Sequence, residues 1–187
     1  SGKTLMELPS GAIVGTSSLR RTMNLKNLRP DLQIKQLRGN IHTRLNKLKN
    51  EDYDAILLAA AGLKRVGLES EITEYLDPKK FLPAPAQGVL HIQCRENDEF
   101  ILGLLKSIHN EEIEKIVEIE REFSKIFDGG CHTPMGCYSE INGEEITFYG
   151  VYFQGDRGYT AYITEKLSEG VKVAQKLANS IKEKIDE

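Results

Sequence analysis

Hydrophobic and polar positions follow two different periods along this chain, and the change of period divides it. Ala12-Ile13-Val14-Gly15 is a short apolar run ahead of the hydroxyl-rich Thr16-Ser17-Ser18. It predicts a buried strand feeding a helix over 19–27, capped by a hydroxyl and ended before Pro30. Leu32-Gln33-Ile34-Lys35-Gln36-Leu37 alternates as a strand does. Arg38-Gly39-Asn40 then turns into a helix over 41–48, with Asn40 as its cap. The apolar run at 53–61 predicts a central parallel strand covered on both faces. Strand and helix alternate throughout, which implies an α/β layer with right-handed crossovers.

Leu82-Pro83-Ala84-Pro85-Ala86-Gln87-Gly88 is a stiff connection leading to a predicted strand over 89–94. A helix over 98–108 follows, then one capped by Asn110 whose Ile113, Ile116, Glu120, Phe123 and Phe127 keep helical spacing. Strand-like stretches come next around 138–141, 146–153 and 159–166. Asn142-Gly143 is a hairpin signal between the first two. Ser168 is the expected cap of a last helix carrying Val171, Ala174, Leu177, Ala178, Ile181 and Ile185 on one face. The expected division is an α/β domain over 1–82, a connection with strand and helix over 83–108, and a small α+β domain over 109–187.

With 187 residues, 40% of them apolar, 28% charged and a net charge of −3, the chain reads as an ordinary globular protein. The charge argues against nucleic-acid binding by bulk electrostatics. No apolar run approaches the roughly 20 residues of a membrane-spanning helix. The start at Ser1-Gly2-Lys3 lacks both an initiator methionine and a signal-peptide pattern, which suggests a processed or cut-down chain. Cys94, Cys131 and Cys137 match neither a disulfide framework nor a zinc spacing, so a reducing, cytoplasmic setting is expected. His42, His91 and His109 are scattered and suggest no metal site.

The candidate chemistry lies in arginines and one thiol. Arg20 and Arg21 fall in the first turn of a helix, Arg38 ends a strand, Arg44 lies one turn into the next helix, and Arg65 follows the third strand. In an open α/β sheet the carboxyl ends of the strands share one edge, where ligands bind. Helix N-termini at Ser18 and Asn40 bring N–H donors there. Each arginine alone is more often a solvated helix residue; together they predict a crevice for a multiply charged anion. Cys131 sits in Asp128-Gly129-Gly130-Cys131-His132-Thr133-Pro134, a turn that could hold a sulfur toward a cleft. The blander reading is a small apolar plug. A Cys131–His132 nucleophile pair is a poor reading, because neighbours in a turn usually point apart. Neither a Walker loop nor a dinucleotide fingerprint is present. A small-anion binding module of periplasmic type, closing on a carboxylate or phosphate, fits the same pattern. An RNA-backbone binder fits less well, given the acidic balance.

Gly15-Thr16-Ser17-Ser18-Leu19-Arg20-Arg21, Leu37-Arg38-Gly39-Asn40-Ile41-His42-Thr43-Arg44-Leu45, Ala61-Gly62-Leu63-Lys64-Arg65 and Gly129-Gly130-Cys131-x-x-Pro134 occur in order. With Leu82-Pro83-Ala84, Gln87-Gly88 and Arg121, this series resembles the hydroxymethylbilane synthase (porphobilinogen deaminase) family. The resemblance implies a three-domain transferase of tetrapyrrole biosynthesis that joins four porphobilinogen units head to tail, releasing ammonia. It implies a dipyrromethane cofactor in thioether linkage to Cys131. It assigns cofactor contacts to Ser18, Arg20, Arg21, Arg38, Gly39 and Arg44, and substrate carboxylate contacts to Arg65, Arg20 and Arg44. It further implies a periplasmic-binding-type α/β domain, a cytoplasmic full-length monomer, and no nucleic-acid or membrane partner. Ala86 and His91 depart from the family pattern, which has smaller residues or glycine there. The family's first domain, about 100 residues by typical domain size, has no counterpart here. Its catalytic aspartate is likewise unmatched, so no residue of this chain is given a catalytic role. The expectation is a fragment that folds without turning over, with residues around 89–95 left by a missing sheet and its cofactor loading open.

Overall fold

The computed structural model describes residues 2–130 and 133–187. Its first half is a β-α-β-α-β-α series: β1 (Ile13–Gly15), α1 (Leu19–Leu28), β2 (Gln33–Lys35), α2 (Ile41–Asn50), β3 (Ala55–Ile56) and α3 (Ala60–Arg65). The caps behave as the pattern requires. Ser18 Oγ accepts from the Arg21 N–H and Asn40 Oδ1 from the Thr43 N–H, each satisfying an orphan donor of a first turn. The three strands are parallel in the order β2-β1-β3, with Val14 opposite both Ile34 and Ala55. Val14 and Leu25 pack with Leu5, Leu8, Ala12, Leu32 and Phe81 to form the core of this unit.

Two expectations fail here. The central strand is β1; the run at 53–61 supplies only the two-residue edge strand β3. Its remainder turns into α3, and residues 55–60 are only half-buried. A short apolar run does not by itself distinguish strand from helix. The strand expected over 89–94 is also absent: those described residues form no strand, and Leu90 and Ile92 are 73% and 60% exposed. An extended segment is a strand only with a neighbour to pair with, and none lies beside it among the described residues.

The second half contains α4 (Glu99–Lys106), α5 (Glu111–Ile126), β4 (Met135–Asn142), β5 (Glu145–Gln154), β6 (Arg157–Lys166) and α6 (Lys172–Asp186). β4-β5-β6 is an antiparallel meander, and Asn142 pairs with Glu145 across the predicted hairpin turn, where Gly143 takes φ +63°. Phe123 of α5, Phe148 of β5 and Leu177 of α6 meet in the core, which includes Cys137 and Ile181. Ser168 does not cap α6; it lies in a single 3₁₀ turn (Leu167–Glu169), and Val171 stands at the cap without a side-chain bond. α4 buries none of its residues, and Phe100, Leu104 and Ile108 are exposed. A third cluster, formed by Met23 of α1, Leu82 of the connection, and Val151 and Phe153 of β5, joins the two halves.

Candidate anion-binding site

Because β1, β2 and β3 are parallel, the loops after them and the N-termini of α1, α2 and α3 gather at one edge. Ser17 Oγ stitches two of those loops, donating to the Leu37 carbonyl and accepting from the Leu37 N–H. This bond holds the backbone next to Arg38 beside the start of α1. Gly39 follows at φ +122°, where a Cβ would stand 2.7 Å from Thr43 Cγ2, so only glycine makes this turn without strain.

Arg20, Arg21 and Arg44 are brought together. Arg20 is buried and donates from Nη1 to the Leu82 carbonyl at 2.6 Å; Arg21 donates from Nη1 to the Leu57 carbonyl at 3.0 Å. Arg44 Nε donates to the Gly39 carbonyl at 2.8 Å. Burial, with the neighbouring Arg21 charge, pushes the Arg20 guanidinium down to about 10. Burial and the charge of Arg44 likewise lower Arg21. Among the described residues none of these arginines has a carboxylate within ion-pair distance. Arg29, outside the site, shows the contrast, holding Asp31 at 2.7 Å. A cavity of about 330 Å³ reaches Arg20, Arg21, Leu57, Pro83 and Gln87; Asp54, Glu71 and Glu74 also line it, and Arg44 stands outside it. Clustered cations held only by neutral carbonyls form a site prepared for an anion, since a ligand carboxylate would relieve their mutual repulsion.

Arg38 is exposed in the loop between β2 and α2, and Arg65 is exposed at the last residue of α3, beyond the strand edge. Cys131 lies outside the described residues. Before it, α5 ends in a left-handed turn. Asp128 takes φ +49°, its N–H bonds the Lys125 carbonyl, and the Gly129 N–H bonds the Ser124 carbonyl. Asp128 is thus a helix-ending residue.

Glu120, in the sequence only one position of the α5 helical stripe, acquires a role in the structure. It is 7% exposed on the inner face of α5, and accepts from the Ala86 N–H at 2.7 Å and the Ser139 hydroxyl at 3.0 Å. Burial raises its carboxyl above the ordinary range despite those bonds. Ala86 is a non-glycine residue at φ +57°, so the connection is bent where Glu120 grips it. Cys137 is fully buried beside this group, and burial followed by the Glu120 charge pushes its thiol up. A lone acid in the apolar stripe of α5 was the available signal. Arg121, the next residue, points outward and donates to His91 Nε2 at 3.2 Å. Among the described residues no group of His, Cys, Asp and Glu is placed to hold a metal, and no helix is long and apolar enough to cross a membrane.

Fold and site together define an α/β unit that gathers a cluster of arginines at one sheet edge, joined to an α+β unit. The family model described as porphobilinogen deaminase, dipyromethane cofactor binding domain, matches residues 1–103, and that of the porphobilinogen deaminase C-terminal domain matches 115–187. The chain belongs to the porphobilinogen deaminase family. It is 66% identical over 181 residues to a porphobilinogen deaminase of Fusobacterium nucleatum, covering 97% of this chain and 61% of that protein. It is 46% identical over 180 residues to a porphobilinogen deaminase of Macrococcus caseolyticus, covering 96% of this chain and 59% of that protein. It is 42% identical over 185 residues to a porphobilinogen deaminase of Clostridium perfringens, covering 99% of this chain and 63% of that protein. The chain spans about three-fifths of the length of these relatives.

Proposed function

We propose that this chain provides the carboxylate-binding cleft and the cofactor-bearing unit of a hydroxymethylbilane synthase, a transferase that condenses four porphobilinogen units into a linear tetrapyrrole. The observation that carries the reading is the Arg20–Arg21–Arg44 cluster, free of carboxylate partners among the described residues, at the edge where α1 and α2 present capped N-termini. Guanidinium forks and backbone donors suit the acetate and propionate groups of pyrroles. That donor set fits a dipyrromethane, which when bound supplies the free pyrrole carbon that accepts the first substrate unit. Arg20, Arg21, Arg38 and Arg44, with donors at Ser18 and Gly39, would hold its carboxylates. Cys131 would carry it as a thioether. Arg65, with Arg20 and Arg44, would bind carboxylates of the incoming porphobilinogen.

The reading takes the first unit as one lobe of a periplasmic-binding-type architecture and residues 109–187 as the attachment domain. Residues 83–108, whose Leu90, Ile92, Phe100 and Leu104 are exposed, would pack against the further length that the relatives possess. Expression with that remaining length, followed by peptide mapping, tests the assignment. The peptide holding Cys131 should gain the mass of two linked pyrroles, and Cys131→Ser should abolish the gain. An adduct on Cys94 or Cys137 would overturn it.

A further inference from the structure

The antiparallel sheet carries α5 and α6 on one face. On the other, Tyr138, Tyr149 and Tyr162 are register partners across β4, β5 and β6. Their rings form a row, with centroids 6.2 and 5.7 Å apart, the second pair stacked at 27°. Tyr162, at the end of the row, remains 71% exposed. A cavity of about 520 Å³ lies against Tyr149 and Tyr162 at the open β6 edge of the sheet, lined by Asn24 of α1, by Lys80 just ahead of the connection and, from round that edge, by Lys184 of α6. That volume lies within the range of small-molecule sites.

The chemistry of the lining is one-sided. Three lysines, Lys79, Lys80 and Lys184, contribute to it, and no carboxylate does among the described residues. Lys79 pairs with Glu140 at 2.8 Å outside the lining and stands 5.7 Å from the Tyr149 ring centre. Lys184 donates to the Thr160 carbonyl at 2.7 Å, which leaves two ammonium donors for a ligand. Lys80 makes no ion pair among the described residues. The outer face of Tyr162, the exposed end of the row, offers an apolar surface to a flat ring, and the surrounding ammonium groups suit its negative substituents.

We propose that this cleft binds a planar, conjugated ring compound bearing carboxylate or phosphate groups, independently of the arginine site. A single small ring system is favoured over a nucleic-acid strand, because the cavity is walled by three elements and the chain carries a net charge of −3.

Nuclear magnetic resonance titration of the chain with naphthalene-2,6-dicarboxylate tests this, with 1-naphthyl phosphate as a second arm and decalin-2,6-dicarboxylate as a saturated control. Amide shifts should centre on Gly150, Ala161 and Tyr162. Tyr162→Ala should weaken binding about 2- to 12-fold, the worth of one aromatic stack, while Tyr162→Phe should retain it. Lys80→Ala should also weaken it, and the saturated diacid should bind more weakly than the naphthalene. The two aromatic arms together report whether carboxylate or phosphate is preferred. Equal binding of the saturated diacid, an unchanged affinity in Tyr162→Ala, shifts confined to residues 16–21 and 38–44, or no shift at millimolar ligand would each overturn the proposal.

Discussion

Replacing Glu120 separates the role of its charge from the role of its hydrogen bonds. The carboxylate accepts from the Ala86 N–H and the Ser139 hydroxyl while almost wholly buried. In Glu120→Gln the amide oxygen can accept from Ala86, and the amide nitrogen can donate to the Ser139 oxygen, so both partners stay satisfied. In Glu120→Ala both lose their acceptor. At about 1–3 kcal/mol for each buried group left unpaired, and with Ala86 only half-buried, the alanine variant should lose about 2–4 kcal/mol. For a chain of this size that is a fall in Tm of about 4–16 °C. The pH dependence has a definite sign. Burial raises the folded-state carboxyl, so the folded chain holds this proton more tightly than the unfolded chain does. Stability from this residue is therefore greatest at low pH and declines as the pH rises from about 4.3 through the higher folded value. Urea unfolding followed by circular dichroism between pH 4 and 7 should show the glutamine variant at least as stable as the parent at pH 7, with a flatter slope. Equal losses in the two variants, or an unchanged slope in Glu120→Gln, would refute the reasoning.

Other outcomes follow from the same geometry. On the function proposed above, Arg44→Ala should weaken porphobilinogen binding about 10-fold by calorimetry, one charge-assisted contact of a half-buried guanidinium; an unchanged affinity would remove Arg44 from the site. Gly39→Ala should destabilise by about 1–3 kcal/mol in thermal unfolding, since a Cβ at φ +122° meets Thr43. Iodoacetamide should label Cys94, which is half-buried, well before Cys137, whose thiol is enclosed and shifted toward the protonated form. Mass spectrometry of the labelled peptides decides this, and comparable rates would show that the sheet opens.

Much of the architecture was legible because it is local. Ser18 and Asn40 cap their helices through bonds to a residue three positions on, and Asn142-Gly143 makes its turn from its own dihedral preferences. Arg20, Arg21 and Arg44 could be assigned to the starts of α1 and α2 from spacing, but their relations could not, and Arg38 and Arg65 lie in the loop after β2 and at the end of α3 instead of at strand ends. Arg20 takes its carbonyl from Leu82, 62 residues away, and Arg21 from Leu57, 36 away. The run at 53–61 was misjudged because its end is set by how α3 packs, and periodicity does not carry that information.

The order of amino acids by itself determined the Ser18 and Asn40 caps, the α5 stripe, the hairpin and the family motifs, since each depends on neighbours within a turn or a strand. Only the tertiary structure decided that β1 is central, that Arg20, Arg21 and Arg44 share one field, and that Glu120 grips the connection beside Cys137. Burial and charge coupling arise between segments far apart in the chain, so they exist only once those segments have been packed together.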